Sequence, residues 1–280
     1  MICQWESFIR LVPQRLRWET EQLGREALQE FRLRVGQPVQ WILRERTLSG
    51  KETATLEDLK FVINTASQYS PWSAATVSQG YITAEGGHRI GICGDCVVHN
   101  GIATGIRQPF SVCIRVARDF SGIAKGANLS GSVLIIGKPG SGKTTLLRDL
   151  IRQRSGSEQG SISVVDERGE LFPIAQGRSC FFPGAHTDIL SGCGKEQGIE
   201  MALRTMGPAC IAVDEITGED DAAALLATGW SGVDLLATAH AASPEDLYSR
   251  DIYRPLIQRR LFQTLLVLHR DKSWHEERIP

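Results

Sequence analysis

Over the first 116 residues the hydrophobic and polar positions of this chain change period three times. From Trp5 to Leu28 the apolar residues Trp5, Phe8, Ile9, Leu11, Val12, Leu16, Leu23 and Leu28 recur among arginines and glutamates at helical spacing, and Pro13 interrupts them. Two short amphipathic helices are expected, a helical arm over residues 1–30 whose mixed charges read as a solvated face, not a nucleic-acid stripe. Phe31 to Trp41 then alternates apolar and polar residues on either side of Gly-Gln-Pro, the pattern of a β-hairpin. Residues 56–67 return to the helical period with Glu57 and Asp58 in the first turn, and residues 69–77 extend helical structure past Pro71. Short β segments follow at 81–83, 86–92, 96–98 and 111–116, separated by turns that contain glycine.

After a Gly- and Ser-containing stretch near residues 119–130, the pattern becomes strictly alternating. Apolar, β-branched runs at 132–136, 162–165, 210–213 and 233–238 are each followed by a helical segment, among them 145–151, 195–206 and 220–228, while Pro244 sits where a further helix would start. The tail reads as a last strand near 262–268 and a short end. Such alternation specifies a mainly parallel sheet covered on both faces. The expected architecture is therefore a mixed α+β domain over residues 1–120, a linker at 121–130, and an α/β domain over 131–280.

Composition narrows the function classes. The chain has 280 residues, 42% hydrophobic and 22% charged, with a formal net charge of −1. This argues against a strongly basic surface for nucleic acid. No apolar run approaches the ~20 residues that span a bilayer, and the start lacks a signal-peptide core, so a soluble cytoplasmic protein is expected. Seven scattered cysteines do not form a disulfide pattern. Cys93 and Cys96 make a C-x-x-C, but without a second pair or nearby histidines it reads as part of a strand.

The candidate chemistry lies at the ends of the second set of strands. Gly137, Lys138, Pro139, Gly140, Ser141, Gly142, Lys143 and Thr144 fit G-x-x-x-x-G-K-[ST] between a strand and a helix, with Thr145 continuing into that helix. The glycines let backbone N–H groups close around a polyphosphate, and the helix start adds its positive dipole end. Lys143 would reach the β- and γ-phosphates of ATP, and Thr144 would hold Mg²⁺. Asp214 and Glu215, at the end of the 210–213 run, have the form of a Walker B pair: Asp214 for the metal, Glu215 to orient water. Asp166, Glu167 and Glu170 form a second acidic group, with Asp166 a further metal candidate and the two glutamates candidates for water positioning. His240, ending the run Leu-Leu-Ala-Thr-Ala-His, is placed to sense the γ-phosphate.

In chain order, Gly137 to Thr144, Asp166 to Glu170, Leu203-Arg204 with Pro208, Asp214-Glu215 and Ala237 to His240 resemble the Walker A, acidic, Walker B and histidine boxes of the type II/type IV secretion ATPase superfamily. Ile63-Asn64-Thr65-Ala66-Ser67, Gly80-Tyr81-Ile82-Thr83, Gly86-Gly87-His88-Arg89-Ile90-Gly91, Cys113-Ile114-Arg115-Val116-Ala117-Arg118 and Val165-Asp166-Glu167-Arg168-Gly169-Glu170 narrow the resemblance to the stage III sporulation protein AA family, over residues 31–250. The resemblance implies an ATPase with a C-terminal RecA-like P-loop domain, assembled as a homohexameric ring. It would drive a secretion-type channel in endospore formation with membrane-protein partners, peripheral to the mother-cell side of the forespore membrane. It also implies that Arg89 and Arg115, with Arg118 and Arg204 as further candidates, come near the phosphates. Thr217 departs from the glycine that usually follows Asp-Glu-Ile in the superfamily. Two alternatives stand beside this reading: a nucleic-acid-binding RecA-like ATPase, and a nucleotide-binding scaffold with slow turnover.

Overall fold

A computed structural model describes residues 2–67, 80–128, 130–156, 160–175, 177–229 and 231–279. They group into two compact units, Met1–Asp119 with Pro173–Cys180, and Phe120–Phe172 with Phe181–Pro280.

In the first unit, β1 (Ile2–Cys3) leads into α1 (Trp5–Leu11) and α2 (Gln14–Gln22). Pro13 stands immediately before α2, where its fixed φ is compatible with a helix start and its missing N–H costs nothing. The helices bury Phe8, Leu11, Leu16 and Thr20. Thr20 is a polar residue in this core because its hydroxyl accepts from Trp41 Nε1 at 2.9 Å and donates to Leu16 O at 2.7 Å. The antiparallel sheet contains β2 (Leu28–Arg34), β3 (Pro38–Leu43) and β4 (Thr47–Thr53), followed in the chain by α3 (Leu56–Ser67). Next come β5 (Tyr81–Thr83), β6 (Arg89–His99) and β7 (Ile102–Arg115), while β8 (Arg118–Asp119) pairs with β1. The sheet order is β4-β3-β2-β7-β6-β5.

Two expectations for this unit change. Residues 28–30 belong to strand β2, so the helical arm ends earlier. The separate β segments between 86 and 116 are largely one long hairpin, closed by Asn100 and Gly101 at φ 51° and 79°. These left-handed values suit a two-residue hairpin turn. Cys93 and Cys96 are exposed free cysteines on that hairpin. The helical reading of residues 69–77 lies outside the described residues.

The second unit is built on a seven-stranded sheet. Its first elements are β9 (Val133–Gly137), α4 (Lys143–Ser155) and β10 (Ile162–Asp166). The chain then supplies β11 (Ile174–Ala175) and β12 (Arg178–Ser179), a small hairpin grouped with the first unit. It continues with β13 (Thr187–Ser191), α5 (Lys195–Thr205), β14 (Cys210–Ile216), α6 (Glu219–Gly229) and β15 (Asp234–Ala239). Short helices α7 (Pro244–Ser249) and α8 (Arg254–Gln258) precede β16 (Thr264–Leu268) and β17 (Trp274–Arg278). The order is β13-β10-β14-β15-β9-β16-β17, parallel except for β17, which runs antiparallel to β16.

Strands β9, β10 and β16 are buried along their whole length. That explains why they read as unbroken apolar runs: both faces are covered. The order places β10, β14, β15 and β9 side by side, so the polar residues at their carboxyl ends share one edge. The stretch read as a linker is tied to this unit: Gly122 and Ala124 N–H donate to the buried Asp149 carboxylate at 3.0 and 2.8 Å. Two strands of the seven-stranded sheet lack a sequence reading, β13 at its edge and β17 in the tail.

Candidate active site

The phosphate loop leaves β9 at Gly137, turns through Gly140 and Gly142 at φ 73° and 106°, and enters α4 at Lys143. Glycine is required at the last two because side chains rarely adopt those values. Gly137 is required for space: a Cβ there would meet Ser141 Oγ at 2.7 Å and Leu268 O at 2.8 Å. Gly142 is the N-cap of α4 and no side chain caps the helix, so its first N–H groups remain available to an anion. Lys138, Pro139 and Gly140 are exposed, Thr144 and Thr145 half-buried. Ser141 is buried, and its hydroxyl has no hydrogen-bond partner among the described residues.

Lys143 is 6% exposed. Its ammonium donates to Gly137 O at 2.9 Å, Lys138 O at 3.3 Å and His240 Nδ1 at 2.9 Å. Burial lowers its pKa, opposed by the nearby Asp214 and Glu215 carboxylates. An ammonium has no acceptor. His240 Nδ1 must therefore accept, and Nε2 carries the proton that is donated to Glu215 Oε1 at 2.6 Å. A continuous polar chain thus links Lys143, His240 and Glu215.

The backbone delivers these carboxylates by an irregularity. The β14–β15 register shifts between Val213 and Ile216, and Glu215 lies at φ 52°. A bulge re-aims side chains that a regular strand would send to opposite faces, and the left-handed residue carries strain of the kind that recurs at working sites. Thr238 holds the bulge: its hydroxyl accepts from Glu215 N at 2.8 Å and donates to Asp214 Oδ1 at 2.6 Å. Glu215 Oε2 also lies 3.5 Å from Arg168 Nη1.

The acidic group divides. Asp166 is buried, and its oxygens accept three backbone hydrogen bonds, from Glu170 N at 2.8 Å, Leu171 N at 3.0 Å and Phe172 N at 2.8 Å. Burial dominates and pushes its pKa up to about 6 despite those donors. Its carboxylate thus organises the 166–172 turn. Arg148 of α4 closes the same turn by donating to Glu170 O at 2.8 Å and Leu171 O at 2.6 Å. Glu167 is paired with the buried Lys195 at 2.8 Å, and Lys195 also lies 3.3 Å from Asp221.

The arginine candidates are spread more widely. Arg89 and Arg115 belong to the first unit. Arg89 lies over the Tyr81 ring, 5.0 Å from its centroid. Arg115 is exposed and pairs with Glu30 at 3.2 Å. Arg118 donates to Arg25 O at 2.9 Å and to Leu28 O, and Arg204 pairs with Glu200 on the surface of α5 at 2.6 Å. The sequence reading missed Thr238, Arg168, Lys195 and Lys272. Thr238 and Arg168 sit within motifs already singled out, whereas Lys195 and Lys272 carry no local signal.

The donor set suits magnesium. The Thr144 hydroxyl and the Asp214 carboxylate are hard oxygen donors. Among the described residues no three His, Cys, Asp or Glu side chains are grouped to hold a metal. No helix among the described residues is long and apolar enough to cross a membrane.

Comparison with known proteins follows the same lines. The profile of the family described as "Sporulation stage III, protein AA" matches residues 4–277, further at both ends than the 31–250 expected. The chain is 36% identical over 257 residues to Stage III sporulation protein AA of Bacillus subtilis (strain 168), covering 88% of this chain and 84% of that protein. Its fold is similar to the ATPase DotB of Legionella pneumophila, with a TM-score of 0.59 at 15% identity, covering 94% of this chain and 78% of that one. It is also similar to the pilus retraction motor PilT with bound ADP, with a TM-score of 0.60 at 15% identity, covering 89% and 76%. At such identities the likeness establishes the fold alone.

Proposed function

The chain belongs to the stage III sporulation protein AA family, and we propose that it is a Mg²⁺-dependent ATP hydrolase, the motor of a secretion-type channel apparatus in endospore formation. The observation that carries this reading is the chain Lys143–His240–Glu215 at the foot of a phosphate loop. It joins the group that neutralises phosphate charge to the group that orients water, through a residue able to report between them.

In this reading the loop N–H groups from Gly140 to Thr145 and the start of α4 hold the triphosphate. Lys143 exchanges its loop carbonyls for phosphate oxygens, since it has donors to give and a buried ammonium gains by meeting an anion. Thr144 and Asp214 would hold Mg²⁺, which would supply charge neutralisation to the phosphates when bound. Glu215 orients the attacking water, and His240, losing or regaining Lys143 as its donor, senses the γ-phosphate. Glu167 and Glu170 serve at the rim of the site, while Asp166 shapes their turn. Arg89 and Arg115 neutralise transition-state charge once the ring, a homohexamer by the resemblance, is assembled.

The two units correspond in this reading to a smaller α+β domain and a C-terminal RecA-like domain. The ring works in the cytoplasm, peripheral to the mother-cell side of the forespore membrane, on membrane-protein partners of the channel, and without nucleic acid. Light scattering of the purified protein with and without an ATP analogue, run beside phosphate release on the same sample, tests assembly and chemistry together. Nucleotide-dependent assembly with turnover is expected. A protein that assembles but releases no phosphate would reduce the reading to a scaffold.

A further inference from the structure

The phosphate loop is backed by the β16–β17 hairpin. β16 pairs with β9 up to Leu268 opposite Gly137. Beyond it the chain turns tightly: His269 N donates to Ser273 O at 2.9 Å and Lys272 N to His269 O at 3.2 Å. Asp271 Oδ1 accepts from Ser273 N at 3.0 Å and Ser273 Oγ at 2.6 Å. Lys272 has φ 74°. From this turn, Lys272 Nζ reaches back to donate to Gly140 O at 2.7 Å and Ser141 O at 3.0 Å. A Cβ on Gly142 would lie 3.8 Å from Lys272 Cδ.

Those two carbonyls belong to the peptide units whose N–H groups are carried by Ser141 and Gly142. In a trans peptide, C=O and N–H point in opposite directions. Holding the carbonyl oxygens on the hairpin side therefore turns the N–H groups the other way, where Ser141 N donates across the loop to Lys138 O at 3.1 Å until a ligand replaces that acceptor, and Gly140 and Gly142 have few intrinsic restraints of their own. We propose that Lys272 is a positioning residue for the phosphate loop: by binding the Gly140 and Ser141 carbonyls it holds the loop peptides in the orientation that receives a nucleotide's phosphates. The proposal rests on reading the loop as an ATP site. Lys272 touches no phosphate in this role; it lowers the disorder that binding would otherwise have to remove.

The test uses the full chain with the fluorescent nucleotide N-methylanthraniloyl-ATP, comparing wild type with Lys272→Met and Lys272→Arg, beside amide hydrogen exchange of residues 137–144 without nucleotide. Loss of charge-assisted hydrogen bonds is expected to weaken binding about tenfold or more in Lys272→Met. Exchange in the loop is expected to quicken, the rate of phosphate release at saturating ATP to change less than KM, and Lys272→Arg to restore both binding and protection. Urea unfolding of Lys272→Met checks that the fold persists; Lys272→Gln, which keeps a neutral donor, gives the same comparison should the Met variant not fold. Wild-type binding in Lys272→Met with unchanged loop exchange overturns the proposal, as does an Arg variant no better than Met. Absence of binding by the wild type would instead overturn the ATP-site reading itself.

Discussion

The imidazole of His240 stands between Lys143 and Glu215, accepting at Nδ1 from the ammonium at 2.9 Å and donating from Nε2 to the carboxylate at 2.6 Å. The arrangement fixes the tautomer, and it means that moving Lys143 changes the hydrogen bonding of the residue that holds Glu215. Coupling of this kind needs no large rearrangement, because a single imidazole bridges one donor and one acceptor.

Removing that bridge should separate binding from turnover. His240→Ala is expected to leave nucleotide affinity within a few fold while lowering kcat by about a hundredfold to ten-thousandfold, the range for a lost proton-handling group. Steady-state phosphate release beside equilibrium binding checks this. Equal losses in both would make His240 a structural residue.

Thr238 satisfies the backbone of Glu215 and orients Asp214, so Thr238→Val should disturb both carboxylates at once. A stability loss of about 1–3 kcal/mol is expected from the stranded N–H, with a larger loss of activity, and Thr238→Ser should recover most of each. Urea unfolding and phosphate release on the three proteins measure it.

His88 supplies a pH test in the first unit. It is fully buried; Nδ1 accepts from Ala117 N at 3.0 Å, and Nε2 faces Gln4 O at 2.8 Å and Ser7 Oγ at 3.0 Å. Burial lowers its pKa from 6.5 to about 4. The folded pKa is depressed below the unfolded one, so the folded protein holds fewer protons between those values. The stabilising contribution is complete above about pH 6.5 and is lost as pH falls toward 4, on the order of 3 kcal/mol in all. Relative to His88→Gln, the wild type should lose that much more stability between pH 7 and pH 4 in urea titrations. Parallel pH profiles would contradict it.

How much of this was legible in the sequence depends on how local each feature is. The phosphate loop, the strand-end carboxylates and His240 could be read because each motif carries its own strand–loop context, and the helices at 56–67, 195–205 and 219–229 because they keep one period. For Asp166, a metal candidate beside Glu167 and Glu170, the sequence does not show that its oxygens accept from three N–H groups of the following turn, a local fold-back that no composition signals. β13 was missed as an edge strand that is only partly buried, with no apolar run to reveal it. Lys272 reaches the loop from 132 residues away. Its role is set by strand pairing, which sequence periodicity does not encode.

For the arginines, Arg115→Ala is expected to lower phosphate release by the assembled protein much more than nucleotide affinity, consistent with charge neutralisation worth on the order of 10³ in rate. Its ion pair with Glu30 is exposed and contributes little to stability. An unchanged rate in the assembled state would remove Arg115 from the reaction.

The ATPase reading meets its most direct test in Glu215→Gln, which keeps the size and a hydrogen-bonding head but removes the charge that orients water. With Mg²⁺ and ATP, the variant should bind nucleotide as the wild type does and release phosphate at least a hundredfold more slowly. Phosphate release at the wild-type rate from Glu215→Gln would contradict the assignment of this site.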